Sequence, residues 1–303
     1  MSARIALPDD AALTEAAERL RAGELVAFPT ETVYGLGANA LDADAVARIY
    51  AAKGRPATNP LIVHVASVAE AKKLVKTWPQ VADDLAAAHW PGPLTLVLEK
   101  AEGIPDSVTA GGSTVGIRIP NHPVALELLR RAGVPIAAPS ANRSEEVSPT
   151  FAVHVAHSLG DFVDDLLILD GGACNVGIES TVLDVTCDPP RVLRPGMLHP
   201  LGDSAASPSA SEGDVARSPG QMLRHYAPKK PTVVIRSDDS RFSMRTTDAL
   251  LLLPDDPHEA ALILYAELRR LDNDHTTQRI VVIEPPDDPE WEAIRDRLRR
   301  AVM

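Results

Sequence analysis

The sequence contains two cysteines, Cys174 and Cys187, among its 303 residues, and aromatic residues make up 4% of it. Two cysteines can be bridged, but a chain of this length with so few is typical of a reduced cytosolic protein. No apolar run approaches the ~20 residues of a membrane-spanning helix, and the N-terminus lacks the regions of a signal peptide. We therefore expect a cytoplasmic protein without a membrane segment.

Positive charge is also scarce. Lys and Arg total 30 against 42 Asp and Glu, which gives a net charge of −12. This balance excludes a general nucleic-acid coat protein, because binding to a phosphate backbone needs a broad cationic surface. The sequence also lacks the GxxxxGK[ST] and GxGxxG motifs, which excludes the commonest nucleotide-binding fingerprints. Any site for anions must therefore be local and built in another way.

Six short polar runs carry the chemistry that the sequence does contain. They place hydroxyl, cationic and imidazole side chains on predicted turns, close to glycines and to the ends of predicted strands. These are the groups that a polyphosphate needs from a protein, so together the runs indicate a nucleotide site. The runs are PTETVYGLG (29–37), KGRPATNPLIVH (53–64), STVGIRIP (113–120), APSAN (138–142), EST (179–181) and RHYAP (224–228).

Each run taken alone also has an ordinary structural interpretation. Lys53 and Arg55 follow a predicted helix and are compatible with solvated cap residues. His64 ends an apolar strand, where a half-buried histidine is common. Ser140 lacks a His–Asp partnership, so we interpret it as a phosphate or ribose contact and not as a nucleophile. The clustering of cations against an acidic background is what favours the functional interpretation.

The pattern of apolar runs predicts an α/β fold with two domains and a linker. Over residues 1–194, strands alternate with helices, but several strands are separated by turns too short for a crossover helix, which favours a twisted mixed open sheet. Residues 195–231 are rich in Pro, Gly and Ser and predict a linker. Residues 232–303 follow the order strand, strand, helix, strand, helix, which predicts a smaller Rossmann-like α/β domain.

The ordered set of motifs resembles the Sua5/YrdC/YciO family and, within it, the Sua5-type L-threonylcarbamoyladenylate synthases. The resemblance covers essentially the whole chain. It implies a YrdC-like catalytic domain over residues 1–194, a linker with an SPG…RHYAP motif over 195–231, and a short Sua5-type C-terminal domain over 232–303. One departure follows APSAN, where Arg143, Ser144, Glu145 and Glu146 replace the usual Ser-Gly. The motifs that carry the resemblance are the six runs together with LRPG and SPGxxxRHYAP.

The resemblance implies a nucleotidyltransferase that converts L-threonine, bicarbonate and ATP into threonylcarbamoyl-AMP and pyrophosphate. This product would serve a separate transferase machinery that makes t6A at position 37 of tRNAs, with a weak contact to tRNA by the chain itself. Mg²⁺ is expected, held by phosphate oxygens and water without protein ligands. The alternatives are a double-stranded-RNA-binding module, which the net charge disfavours, and a YciO-like protein without this activity.

By matched position, the resemblance also implies which residues act. Those expected to act in catalysis are Lys53, Arg55 and Arg118. Those expected to bind ATP are Arg55, Asn59, Thr114, Ser140, Ser148, Arg194 and Tyr226. Those expected to bind threonine are Thr32, His64, Arg118, Ala138 and Ser180. Tyr226, on the linker, is further expected to close over the nucleotide and exclude water.

Overall fold

The structure is a computed structural model that describes residues 3–202, 225–236 and 242–302. The described residues form a ten-stranded sheet and a separate three-stranded sheet. Most of the predicted linker, including the segment that ends at Arg224, lies outside the described residues. Of the helices in the described ranges, none combines the length and the apolar character needed to cross a membrane.

The large sheet is built from residues 4–194. Its strands are β1 (Arg4–Ala6), β2 (Val26–Phe28), β3 (Gly35–Asn39), β4 (Ile62–His64), β5 (Leu94–Glu99), β6 (Thr114–Arg118), β7 (Ile136–Ala137), β8 (Leu167–Leu169), β9 (Thr181–Asp184) and β10 (Arg191–Arg194). The helices between them are α1 (Asp10–Arg21), α2 (Ala43–Lys53), α3 (Val68–Lys73), α4 (Gln80–His89), α5 (Asp106–Thr109), α6 (Pro123–Ala132) and α7 (Ala152–Leu159).

The large sheet is mixed, as predicted. Its strand order is β1-β8-β2-β3-β7-β4-β6-β5-β9-β10. β2 and β3 are antiparallel because only a short turn joins them, whereas β4 and β6, separated by α3, α4 and β5, run parallel. In the register of β4 and β6, His64 lies opposite Arg118. The sheet thus brings two of the predicted site residues together.

Described residues 232–236 and 242–302 form what we call the C-terminal unit. It contains β11 (Thr232–Ile235), β12 (Asp248–Leu251), α8 (Pro257–Asn273), β13 (Arg279–Ile283), a 3₁₀ turn (Pro289–Trp291) and α9 (Glu292–Ala301). β13 lies between β11 and β12 and is parallel to both. The predicted order of strands and helices is confirmed, and α8 buries Ala260, Leu264, Leu268 and Leu271, whose spacing is that of one helix face.

Helix α2 ends in a way that directs the following residues toward the middle of the sheet. Asp42 caps its N-terminus, and Gly54 ends it in the left-handed conformation with φ of +60°. The backbone N–H of Arg55 then donates to the carbonyl of Tyr50. This turn sets the course of the KGRPATNP run.

The C-terminal unit packs on loops of the large sheet through a shared apolar cluster that includes Val33, Val147 and Ile178. Gly177 lies directly against the backbone of α8. Its φ is +89°, and an added Cβ would lie 2.3 Å from the carbonyl oxygen of Ala261. Glycine is therefore required here both for its backbone conformation and for the close approach of the two units.

We expect Gly177→Ala to lower the free energy of unfolding by about 2–4 kcal/mol, because the added methyl group collides with α8 and the backbone conformation is strained. Gly172 offers a matched control, since its φ is +82° but an added Cβ would meet nothing within 4 Å. Gly172→Ala should lower the free energy of unfolding only by the cost of the left-handed backbone conformation, about 1–2 kcal/mol. Urea unfolding followed by circular dichroism measures both, and equal losses would argue against the close contact with α8.

Candidate functional site

A cleft of about 500 Å³, including its part open to solvent, lies beside the ends of β2, β4, β6 and β7. The lining residues that the sequence predicted for the site are Thr32, Arg55, His64, Arg118, Ala138, Ser140, Ser180, Arg194 and Tyr226. The lining residues that were not assigned a role are Thr30, Val33, Gly35, Ile62, Pro139, Glu179 and His225. Described residues from all six polar runs therefore meet in this cleft.

Arg118 forms one end of the cleft and is held by three groups. Its Nε donates to the carbonyl of Gly92, and its Nη1 donates to the hydroxyl of Thr32 at 2.9 Å. Its Nη2 forms an ion pair with a carboxylate oxygen of Glu31 at 2.7 Å, and both side chains are buried. A guanidinium has five N–H donors, so these contacts fix its orientation and leave donors for a ligand carboxylate.

His64 lies beside Arg118 and is neutral. Burial, together with the charge of Arg118, lowers the pKa of His64 to about 3. Its ring contacts Phe28 edge to face, and within the described residues its Nδ1 has no hydrogen-bond partner. A neutral imidazole at this position can accept or donate one hydrogen bond to a ligand without adding charge.

Arg55 and Arg194 supply positive charge elsewhere in the cleft. Arg55 is 7% exposed and donates to the backbone carbonyls of Asn59 and Pro60. It forms no ion pair with any described residue, and burial lowers its pKa to about 10, so it stays charged. Arg194 donates to the carbonyl and the hydroxyl of Ser180. Arg55 is a buried cation whose hydrogen-bond partners among the described residues are backbone carbonyls, and this favours an anionic ligand.

Lys53 does not line the cleft. Its Nζ donates to the carbonyl of Ser140 at 2.6 Å and to the carbonyl of Asn142. These two hydrogen bonds support the backbone of the APSAN loop. Burial, and then the charge of Arg55, place the pKa of Lys53 well below its usual range. The structure therefore gives Lys53 a role in supporting the loop, and its contact with substrate stays a prediction.

Three other predicted ATP-binding residues also lie outside the lining of the cleft. Asn59 is buried, and its carbonyl accepts from Arg55. Thr114 begins β6, at the opposite end of the strand from Arg118, and Ser148 is buried with its hydroxyl donating to Glu179 at 2.6 Å. Their contacts with ATP stay predictions.

Two residues of the cleft carry chemistry that the motifs did not reveal. Glu179 is buried, and its carboxylate accepts hydrogen bonds from Ser148, Tyr265 and Arg297. Burial alone would raise the pKa of Glu179, but the charges of Arg297 and Arg194 lower it to about 2. His225 is buried beside Tyr226, and its burial lowers the pKa of the imidazole to about 3. Both residues lie inside recognised runs, but no signal in the runs separated them from turn residues.

The two carboxylates that follow APSAN do not face the cleft. The carboxylate of Glu146 accepts from the hydroxyl of Ser158. Glu145 is exposed, and its carbonyl accepts from the backbone N–H of Ala227 at 2.8 Å. Neither carboxylate lines the cleft, although the charge of Glu146 acts on the buried Lys53 and favours its protonated form.

Glu179 is the carboxylate among the described residues that line the cleft, and it already accepts hydrogen bonds on both oxygens. Among the described residues, no group of three or more His, Cys, Asp or Glu side chains is arranged to hold a metal ion. That Mg²⁺ accompanies ATP, held largely by phosphate oxygens and water, stays a prediction.

Comparison with known proteins identifies relatives for the whole chain. The family model described as "Telomere recombination" (Sua5/YciO/YrdC) matches residues 18–196, and the model described as "Threonylcarbamoyl-AMP synthase, C-terminal domain" matches residues 191–302. Threonylcarbamoyl-AMP synthase of Pyrococcus abyssi is 50% identical over 228 residues, which is 73% of this chain and 66% of the relative. The enzyme of the same name from Bacillus subtilis is 46% identical over 243 residues, 77% of this chain and 69% of the relative. The matched segments span about two thirds of these relatives.

Solved structures agree with these matches. The crystal structure of P. abyssi Sua5 complexed with L-threonine has a TM-score of 0.89 and 39% identity, and it covers 99% of this chain and 97% of its own. Escherichia coli YciO has a TM-score of 0.57 and 27% identity over 65% of this chain and 96% of its own. Since one family model matches more than half of the chain and the Sua5 C-terminal model matches the rest, the protein belongs to the Sua5/YciO/YrdC family and to its Sua5-type members.

Proposed function

We propose that this protein is an L-threonylcarbamoyladenylate synthase, which makes threonylcarbamoyl-AMP and pyrophosphate from ATP, L-threonine and bicarbonate. The observation that carries the proposal is a single cleft in which Arg55, Arg118 and Arg194 are buried around hydroxyl donors. The names of the relatives and the threonine-bound structure of P. abyssi Sua5 support the choice of substrates.

Arg118 is the proposed binding group for the carboxylate of threonine. Its ion pair with Glu31 and its hydrogen bond to Thr32 hold the guanidinium in place, and the remaining N–H groups suit a two-point contact with a carboxylate. Neutral His64 and the hydroxyl of Ser180 are the proposed partners of the amino and hydroxyl groups, together with the backbone of Ala138.

Arg55 and Arg194 are the proposed contacts of the ATP phosphates, with Ser140 and Ser148 as hydroxyl partners. The lack of an ion-pair partner for Arg55 among the described residues supports this assignment, because a triphosphate would supply the missing negative charge. Asn59 and Thr114 belong to the same proposed set. Lys53 would act through the position of the APSAN loop.

The reaction joins two anions, so neutralisation of charge and positioning are the main tasks of the site. Bicarbonate takes up a proton and loses water to give CO₂, and the free amine of threonine attacks the carbon of this CO₂. A C–N bond forms and the amine loses a proton, which gives the carbamate. A carbamate oxygen then attacks the α-phosphorus, the bond from that phosphorus to the bridging oxygen breaks, and pyrophosphate leaves.

Tyr226 is the proposed cover of the nucleotide. It is 1% exposed, and its φ of +62° is a strained conformation for a residue with a Cβ. Its hydroxyl is buried and has no hydrogen-bond partner within the described residues. A buried, strained tyrosine with an unsatisfied hydroxyl supports a functional contact, since strain of this kind persists where the surroundings require it. Excluding water would protect the mixed anhydride from hydrolysis.

The proposed setting is the cytoplasm, where the product would pass to a separate transferase that makes t6A in tRNA. The net charge of −12 disfavours tight binding of tRNA by this chain. Direct transfer of the product to a partner would suit a labile anhydride.

We expect the purified protein to release pyrophosphate from MgATP only when both L-threonine and bicarbonate are present. Rapid chromatography with mass spectrometry should show threonylcarbamoyl-AMP in the same reactions. Omission of either substrate serves as the control. Pyrophosphate without this adduct would favour a YciO-like protein, and tight salt-dependent binding of double-stranded RNA without turnover would favour an RNA-binding module.

Replacement of Arg118 by Met should raise the dissociation constant for threonine about 100-fold or more, because two charge-assisted hydrogen bonds to the carboxylate are lost. Arg131→Met is the control, since Arg131 lies on α6 and pairs with Glu127 and Asp10 at the surface. Calorimetry measures both constants.

The variant Arg118→Met leaves Glu31 buried without its cation, which destabilises the fold. The double variant with Glu31→Gln removes that charge, and circular dichroism establishes that it is folded. Wild-type affinity for threonine in the folded double variant would exclude Arg118 as the carboxylate contact.

Threonine binding should be independent of pH near neutrality. His64 and His225 each have a pKa of about 3 in the folded protein, so both are neutral above about pH 4. The dissociation constant for threonine should therefore be constant from about pH 5.5 to 7.5. Stability should behave differently, because below about pH 6.5 the unfolded chain binds protons that the folded chain does not. The free energy of unfolding should fall as the pH decreases from 6.5.

Both quantities are measured by calorimetry and urea unfolding at each pH, in the wild type and in His64→Gln. The variant should keep the flat binding profile and lose part of the fall in stability. A step in threonine affinity near pH 6.5 that disappears in His64→Gln would show that the imidazole titrates, contrary to this prediction.

A further inference from the structure

Glu179 connects the cleft to the C-terminal unit. One carboxylate oxygen accepts from the hydroxyl of Ser148 at 2.6 Å. The other accepts from the hydroxyl of Tyr265, on α8, at 2.9 Å and from Nε of Arg297, on α9, at 3.0 Å. All of these side chains are buried. A single carboxylate is therefore shared between a proposed ATP-binding residue and two residues of the C-terminal unit.

Arg297 also donates hydrogen bonds to the backbone next to two site residues, Arg194 and Ser180. Its Nη1 donates to the carbonyl of Pro195 at 2.8 Å, and its Nη2 donates to the carbonyl of Glu179 at 3.3 Å. Pro195 directly follows Arg194, and Glu179 directly precedes Ser180. Arg194 and Ser180 are hydrogen-bonded to each other. The guanidinium of Arg297 therefore holds the backbone next to each member of this hydrogen-bonded pair.

Tyr265 and Arg297 of the C-terminal unit also contact the ring of Tyr226. The ring of Tyr226 stacks on that of Tyr265, with centroids 5.6 Å apart and an angle of 26°. The guanidinium of Arg297 lies 5.4 Å from the centroid of the Tyr226 ring. Contacts of this kind stabilise a buried aromatic ring in one position. Tyr226 is thus oriented by the C-terminal unit as well as by its own backbone.

The charges in this network compensate one another only while both units are docked. Arg297 has a fully buried side chain and pairs with Glu179 and Asp296. A buried carboxylate that loses its cation is strongly unfavourable, so Glu179 would shift toward other donors if Arg297 were removed. Besides Arg297, the side-chain donors that bind the Glu179 carboxylate are Ser148, assigned to the ATP half of the cleft, and Tyr265 of the C-terminal unit.

We propose that Tyr265 and Arg297, acting through Glu179, are positioning residues of the synthase reaction, by which the C-terminal unit sets the geometry of the ATP half of the cleft. The inference rests on the proposed function, because Ser148, Arg194 and Tyr226 are assigned to ATP under it. Of the residues that bind threonine in the proposal, Ser180 adjoins this network through Arg194, whereas no hydrogen bond or ion pair between described residues joins Arg118 or Thr32 to it. Loss of the network should weaken ATP binding more than threonine binding.

The test compares Arg297→Met and Arg297→Lys with the wild type. Steady-state synthesis of threonylcarbamoyl-AMP gives kcat and the KM for each substrate, and calorimetry gives the affinity for a non-hydrolysable ATP analogue and for threonine. Both variants should raise the KM for ATP about tenfold or more while the threonine affinity changes less than about threefold. Lysine keeps the charge but cannot bind Glu179 and Pro195 together, so it should not restore ATP affinity.

Arg295→Met is the matched control, because Arg295 lies on the same helix and donates to carbonyls of Pro286 and Asp288 within the C-terminal unit. It should leave both KM values unchanged. If Arg297→Met does not fold, Tyr265→Phe still tests the proposal, since it removes one hydroxyl and keeps the ring. It should raise the KM for ATP about threefold.

Three results would overturn the proposal: folded variants with an unchanged KM for ATP, equal changes for ATP and threonine, or full recovery by lysine. Failure of the proposed function would look different, since the wild type itself would then make no adduct. In that case the calorimetric comparison of ATP-analogue binding by wild type and variants still decides whether the C-terminal unit positions the cleft.

Discussion

Buried positive charge in the cleft is the constraint on which the rest of the site depends. Arg55, Arg118 and Arg194 are all nearly inaccessible, and removing such groups from water costs several kcal/mol each unless they are compensated. Arg118 has Glu31 as its counterion, whereas Arg55 is held by the backbone carbonyls of Asn59 and Pro60. Carbonyl dipoles compensate a full charge only in part, so an anionic ligand completes what the fold leaves incomplete. The same incompletely compensated cations therefore give the cleft its affinity for anions and lower the stability of the fold.

The carbonyl groups that stabilise these cations come from loops whose paths the large sheet determines. Lys53 binds carbonyls of the APSAN loop, which follows β7, and Arg194 binds the carbonyl of Ser180, which precedes β9. The carbonyls bound by Lys53 and Arg194 therefore reach these residues only when distant strands have paired, whereas those bound by Arg55 lie in its own run. Such a site cannot form in any one segment of the chain, which explains why each polar run had an ordinary interpretation when it was considered alone.

Periodicity and turn residues act locally, so the sequence predicted the mixed sheet and the order of elements in the C-terminal unit. The convergence of the polar runs was predicted from their shared chemistry and from the family resemblance. The sequence also placed His64 and Arg118 in one site, and the parallel register of β4 and β6 makes them neighbours. The direction in which a long side chain points is not local information. Lys53 turns toward the APSAN loop and away from the cleft. Glu179 was unassigned for the same reason, since its partners Tyr265 and Arg297 lie more than eighty residues away.

The position of Arg297 also bears on how a linker of low apolar content is compatible with a precise site. Arg297 contacts Pro195, where the linker begins, and Tyr226, near its end. These two points are held together whatever path the segment between them takes. The entropic cost of closing such a loop grows only slowly with its length, so the length and composition of the segment between are weakly constrained. The site requires defined contacts at Pro195 and Tyr226, the two ends of this segment. A sequence rich in Pro, Gly and Ser between them is compatible with that requirement.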